Sequence, residues 1–282
     1  MLAEQFPSNI YPWRAKAHAH DHDAVITVPR PAGGDWSSAV LEHLDELGER
    51  AAIVALPQCH WTDGTAVDLV AVGNRCRQIG AALVVDASQS LGAVPFDVAA
   101  VQPDFLVTAG YKWLLGPYSL AYLYAAPHRQ TGVPLEQNWI TRRDSSNFAR
   151  LVDYTDELES GARRYDVGER SNFTLLPMAI AALELIHEWS VEDIANALSS
   201  VTSGIEIRAK EAGFDVPPAA YRGPHMIGLR APGGLEPGLA DRLGRTKVFV
   251  SVRGDSIRVS PHLYNTDDDV DRLFTALSRS PV

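Results

Sequence analysis

Two ionisable residues stand where apolar strands are predicted to end. Asp86 closes the run Ala82–Val85, and Lys112 follows the run Asp104–Thr108. In open α/β sheets, ligands bind outside the carboxyl ends of the strands. A carboxylate and an ammonium at such an edge are costly to strip of water unless they have a partner or a task. One task fits both. A lysine amine condenses with an aldehyde, and a carboxylate keeps a pyridine nitrogen protonated so that the ring can accept electrons, which is the chemistry of pyridoxal 5′-phosphate (PLP). A structural ion pair at the sheet edge would use the same two residues, and the pair alone does not decide between these readings.

The surrounding pattern supplies elements that could position them. Apolar runs at Ala24–Val28, Ala52–Leu56, Ala82–Val85, Asp104–Thr108 and Leu120–Ala125 predict strands. Trp36–Leu47 reads as a helix, with Asp35 as N-cap, Val40, Leu41, Leu44 and Leu47 on one face, and Gly48 as the stop. Asp68–Ile79 reads as another, closed by Gly80. Strands buried on both faces with helices in the crossovers predict an α/β domain with a largely parallel sheet. Leu175–Trp189 and Val191–Ala212 are predicted as long helices. Short strands at His225–Arg230, Val248–Val252 and Ser256–Val259 follow, with helices at Pro237–Gly244 and Asp267–Ser278. The expected division is a large domain over residues 1–190 and a small α+β domain over residues 191–282. Asp267, Asp268 and Asp269 suit the first turn of the last helix, where carboxylates oppose the positive end of the dipole.

The segment Asp86-Ala87-Ser88-Gln89, a strand, and then Lys112-Trp113-Leu114-Leu115-Gly116-Pro117 resembles the cofactor site of the class V aminotransferase family of PLP-dependent fold type I enzymes, which includes cysteine desulfurases and kynureninases. The similarity extends to Ser256-Ile257-Arg258-Val259-Ser260-Pro261-His262. The resemblance implies that Lys112 is the Schiff-base lysine and Asp86 the partner of the pyridine nitrogen. It also implies that Gln89 hydrogen-bonds the phenolic oxygen and that Ser88 lies against one ring face. Phe6-Pro7-Ser8-Asn9, Tyr111 where many members have His, and Arg170-Ser171-Asn172 resemble the kynureninase-like branch. There Phe6 would stack on the ring and the Tyr111 hydroxyl would reach the phosphate. Trp139 and Asn172 would be contributed from a dimer partner.

By the same resemblance Arg258 clamps the α-carboxylate of an amino-acid substrate, a role that suits its planar fork; Arg253 competes for it. His60 or Trp61, in the loop after Ala52–Leu56, would line the substrate pocket, with plain loop packing as the alternative for each. Relative to the family the chain reads as N-terminally short, without the segment whose helix N-terminus would seat the phosphate. The implied activity is an aminotransferase, or a lyase or hydrolase of kynureninase type, working as a homodimer. The rival is a non-catalytic truncated remnant that keeps the fold and binds a partner or subunit. Cysteine desulfurase activity is disfavoured because neither Cys59 nor Cys76 lies near Arg258.

Composition narrows the classes further. The chain has 282 residues, of which 46% are hydrophobic and 21% charged, with a formal net charge of −10. That excess of acid argues against nucleic acid and anionic membrane surfaces as partners. No apolar run approaches the ~20 residues of a membrane span, and no secretory signal opens the chain, so a cytoplasmic location is expected. Two cysteines make no disulfide framework. His18, His20 and His22 alternate beside Asp21 and Asp23, but PLP chemistry needs no metal and none is expected.

Overall fold

The computed structural model describes residues 1–19 and 24–278. After a tight turn at Pro7–Asn9, helix α1 covers Tyr11–Ala19 and α2 covers Trp36–Leu47. The Asp35 side chain accepts from Ser38 N and satisfies one of the free amides at the start of α2. Strand β1 (Ile53–Pro57) leads to α3 (Leu69–Ile79), which Asp68 caps by accepting from Ala71 N at 2.9 Å. Gly80, at φ 75°, ends α3 in the left-handed region. Then come β2 (Ala82–Asp86), α4 (Val98–Val101), β3 (Phe105–Ala109) and β4 (Ala121–Ala125).

These strands form one sheet in the order β1-β2-β3-β4, the first three parallel and β4 antiparallel to β3. The register sets Pro57, Asp86 and Val107 side by side, so the loops after β1, β2 and β3 leave one edge together. Val40, Leu44, Leu56, Val72, Leu83 and Val85 fill the core between this sheet and its helices.

Residues 126–174 contain short turns rather than strands or α-helices. Helix α5 (Leu175–Trp189) and helix α6 (Val191–Glu211) follow, with Ser190 between them capping α6 through Asp193 N. Beyond them are β5 (Ile227–Arg230), α7 (Leu239–Arg245), β6 (Ser251–Arg253), β7 (Ser256–Val259) and α8 (Asp267–Ser278). The three strands make an antiparallel sheet in the order β5-β7-β6, with its own core of Ile205, Ile227, Leu243, Ile257, Leu273 and Phe274. A third cluster containing Cys59, Trp113, Leu114, Ile194, Leu198 and Met226 joins the two parts.

Two expectations change. Residues 24–28 do not form a strand. Val28 makes a single parallel bridge with Leu2, and the Ala3 carbonyl that would extend the ladder is bonded by His60 Nε2 instead. The expected strand 248–252 shrinks to β6, since Val248 turns into the core of the small sheet instead. The large sheet is largely parallel, as expected, with its last strand antiparallel. The Asp267–Asp269 run does open α8. Among the described residues no helix is long and apolar enough to cross a membrane. His18 lies in α1, whereas His20 and His22 fall outside the described residues.

Candidate functional site

At the carboxyl edge of β1–β3 a cavity of about 310 Å³ is lined by residues from four segments, among them Phe6, Trp61, Asp86, Ser88, Gln89, Tyr111 and Lys112. The volume falls in the ordinary range for small-ligand sites, ~300–1,000 Å³. Hydrogen bonds between the loops bring these residues together. Asp86 Oδ1 accepts from Ser88 N at 3.0 Å, and Ala109 N donates to Ser88 Oγ at 3.1 Å, tying the loop after β2 to the end of β3. Trp113 Nε1 donates to Gln89 Oε1 at 3.4 Å. Gly92, at φ 100°, lies so close to the next loop that a Cβ would sit 2.3 Å from the Trp113 carbonyl oxygen. A side chain there would force the Asp86 and Lys112 loops apart.

Lys112 is half-buried, and its Nζ lies 5.3 Å from the Phe6 ring centroid and 5.8 Å from that of Tyr111. Burial lowers its pKa from the ordinary lysine value. The Asp86 charge opposes that shift, and the Arg258 charge adds to it. Tyr111 stacks on Tyr118 at 4.2 Å, and Phe6 meets Trp61 edge-on at 5.4 Å. From the small sheet, Arg258 Nη1 donates to the Trp61 carbonyl at 2.8 Å. Its pKa is pushed down to about 10, chiefly by burial and then by Arg253, so it stays charged at neutral pH.

Three sequence-predicted residues are placed elsewhere. His60 is fully buried under the loop, with Nδ1 bonded to Thr62 Oγ1, Nε2 to the Ala3 carbonyl, and its ring stacked on Trp36. It does not line the cavity, because both nitrogens are spent on the loop's own packing. Asn172 Oδ1 accepts from Thr174 N and Leu175 N at the start of α5. Trp139 donates to Glu169 and lies edge-on to Phe148, in a separate depression. Within one chain, therefore, neither Asn172 nor Trp139 lines the cavity.

The sequence reading passed over several residues of this region. His225 is fully buried, bonds the Gln89 carbonyl through Nε2, and meets the Trp113 ring at 4.5 Å. Burial drops its pKa to about 4, so the ring is neutral, Nε2 carries the proton, and the buried Nδ1 lacks a partner. A histidine at a strand start gives no sign of this in one dimension. Arg30 reaches Asp63 at 2.5 Å and Glu4 at 2.8 Å, bracing the loop that carries Trp61. Gln5 and Asn9 also line the cavity, and Gln5 Nε2 and Asn9 Nδ2 are buried donors without partners. Adjacency to Phe6 was their single signal. The lining fits PLP: an amine, a carboxylate and aromatic rings bordering one cavity, with the amides of Gln5 and Asn9 beside it. Cys59 also borders the cavity, but burial and then Asp63 push its thiol up to about 12, leaving it protonated.

Comparison with known proteins gives a consistent result. Residues 2–162 match the family described as Aminotransferase class-V. An uncharacterized aminotransferase of Bacillus subtilis (strain 168) is 27% identical, over 94% of this chain and 67% of its own length. A kynureninase of Stenotrophomonas maltophilia (strain K279a) is 29% identical, over 96% of this chain and 67% of its own. The chain thus spans about two thirds of each of these two relatives. Among solved structures, the cystine C-S lyase C-DES in complex with cysteine persulfide superposes with a TM-score of 0.86 at 18% identity, covering 99% of this chain and 75% of that one. A C-DES mutant structure carries glycine covalently linked to its PLP cofactor. Likeness at this level of identity establishes a shared fold.

Proposed function

We propose, from the premise that this chain belongs to the class V aminotransferase family, that it holds PLP at Lys112 and acts on an amino acid. The observation that carries this reading is the stitched pair of loops after β2 and β3, through which Asp86 and Lys112 line one cavity. When bound, PLP supplies an electron sink for the electrons of a bond broken at the substrate's α-carbon.

The chain's own groups then have separate tasks. Lys112, with its pKa lowered by burial, offers a larger neutral fraction of amine to the cofactor aldehyde than an exposed lysine would. The same Nζ would be the group that holds and returns the proton of the substrate's α-carbon. Asp86 has one oxygen engaged by Ser88 N, and its other oxygen would hold the proton on the ring nitrogen. Gln89, whose side-chain oxygen accepts from Trp113, would bond the phenolic oxygen. Phe6 and Ser88 would flank the ring, while Tyr111, Gln5 and Asn9 would hold the phosphate. Arg258 anchors the α-carboxylate. Neither cysteine supplies a thiolate, since burial raises both thiols, so transamination or cleavage at the β-carbon fits these residues better than sulfur transfer.

We also propose the division into domains 1–190 and 191–282, supported by the separate cores of the two sheets. A homodimer is supported by α5, an apolar helix whose Leu176, Met178 and Ile180 are exposed, with Phe173 exposed just before it. Trp139 and Asn172 are then available to the site of the other copy. The test is to incubate the chain with PLP, fix the linkage with borohydride, and locate the added mass by peptide mass spectrometry. The label is expected on Lys112 and absent from Lys112→Ala. A label on Lys16, Lys210 or Lys247 instead would refute the assignment, and the absence of any label would favour a non-catalytic protein.

A further inference from the structure

The hairpin of β6 and β7 turns at Gly254, where φ is 57°. Its register pairs Arg253 with Ser256 and Ser251 with Arg258. Because side chains alternate across a strand, both arginines fall on one face as a diagonal pair, with Cα atoms about 7–8 Å apart. The opposite face carries Val252 and the fully buried Ile257. The arginine face is turned toward the loop after β1. Arg258 bonds the Trp61 carbonyl, and the Arg253 guanidinium carbon lies 5.4 Å from the Trp61 ring centroid. Trp61 in turn lines the cavity that contains Lys112.

Neither arginine is neutralised. Among the described residues no carboxylate pairs with Arg253 or Arg258. The nearby turn residue Asp255 is engaged by Arg230 at 3.1 Å. The Nε atoms of Arg253 and Arg258 are buried without hydrogen-bond partners, and Arg253 Nη1 reaches no further than the carbonyl of its neighbour Val252. Arg30 has Glu4 and Asp63, and Arg222 has Glu206, whereas Arg164 meets only carbonyls. Two like charges on one face repel, and the Arg253 charge depresses the pKa of Arg258 accordingly. Such a pair is costly to keep without counter-charge, and planar guanidiniums match carboxylates in two-point contact.

We propose that the substrate carries two acidic groups, the α-carboxylate held by Arg258 and a second, side-chain carboxylate held by Arg253. The substrate class is thus an acidic amino acid rather than a neutral one. This rests on the reading of Arg258 as the α-carboxylate anchor. Arg253 is the specificity determinant, and the Trp61 face beneath it fixes the direction in which the second acid lies.

The test uses the chain as purified and reads binding by calorimetry, with quenching of tryptophan fluorescence as a second signal. The probes are succinate, glutarate and adipate, each compared with the monocarboxylate of the same length. One charge-assisted pair predicts that the best dicarboxylate binds about tenfold or more tightly than its monocarboxylate. Arg253→Gln should erase that advantage while weakening monocarboxylate binding far less than dicarboxylate binding, and Arg253→Lys should restore part of it. Arg258→Gln should weaken both kinds of probe. Equal binding of both kinds by the unsubstituted chain, or an equal loss of both in Arg253→Gln, overturns the inference. If Arg258→Gln leaves monocarboxylate binding intact, the anchor assignment of the preceding section fails instead. Unfolding curves on each variant separate a lost contact from a lost fold.

Discussion

Asp63→Asn probes the brace that holds the loop after β1, which carries Trp61, against the N-terminal segment. The Asp63 side chain is 7% exposed and the Arg30 side chain 18%, with 2.5 Å between them. Asp63 Oδ1 also accepts from Thr65 N at 3.0 Å and Thr65 Oγ1 at 2.7 Å. An asparagine keeps the size and can keep the Thr65 bonds through its carbonyl, but it turns an NH2 toward the Arg30 guanidinium. Removing one member of a buried ion pair costs about 3–5 kcal/mol. Arg30 retains Glu4, whose side chain is 59% exposed and screened by water. The expected loss is therefore smaller, about 2–3 kcal/mol.

At about 2–4 °C per kcal/mol for chains of this general size, the melting temperature should fall by about 4–12 °C. The assay is urea unfolding followed by circular dichroism, with an unchanged slope showing that the loss is one of stability. The double variant Arg30→Met/Asp63→Asn should recover part of the loss, because no buried unpaired charge remains and Glu4 is left in water. The pH dependence gives an independent check. Burial tends to raise the Asp63 pKa, but Arg30 and the other partners outweigh it and hold the carboxyl below its ordinary value. Its contribution is therefore complete above about pH 4 and is lost as the pH falls through the depressed native value. Asp63→Asn should lack that part of the acid transition. A loss below about 0.5 kcal/mol, or a double variant no more stable than Asp63→Asn, would refute the reasoning.

Other outcomes follow from the same geometry. Gly228→Ala places a Cβ 2.4 Å from Asp63 Cβ and should cost about 1–3 kcal/mol by overpacking, measured by the same urea unfolding. The His225 ring should remain neutral and protonated at Nε2 from pH 7 down to about pH 4 in nitrogen NMR spectra. Because an unfolded chain takes up that proton near pH 6.5, the contribution of His225 should lower stability progressively between those limits. An imidazolium signal at pH 6 would contradict its burial. A thiol reagent should label neither Cys59 nor Cys76 in the native chain and both after denaturation, since both are buried and their pKa values are raised.

Much of the frame was legible in one dimension because its determinants are local. Apolar runs, the cap Asp35 and the stops Gly48 and Gly80 marked helices and strands close to where they occur. Asp86 and Lys112 could be singled out because a charged residue at the end of an apolar run is conspicuous whatever surrounds it. The direction of β4 was hidden, since its hydrogen bonds depend on a partner strand rather than on its own residues. The stretch 24–28 has strand composition yet gains one bridge, because composition cannot supply a neighbour.

What only the tertiary structure decided are contacts between residues distant in the chain. His60 and Trp61 are adjacent, yet the fold buries His60 on Ala3 and Trp36 and leaves Trp61 beside the cavity. His225 under Gln89, Arg30 on Asp63, and the shared face of Arg253 and Arg258 depend on where separate elements meet. Residue type and local period determine which elements form and where charge must emerge. The partners of that charge depend on packing across the two sheets, and only chain closure sets this.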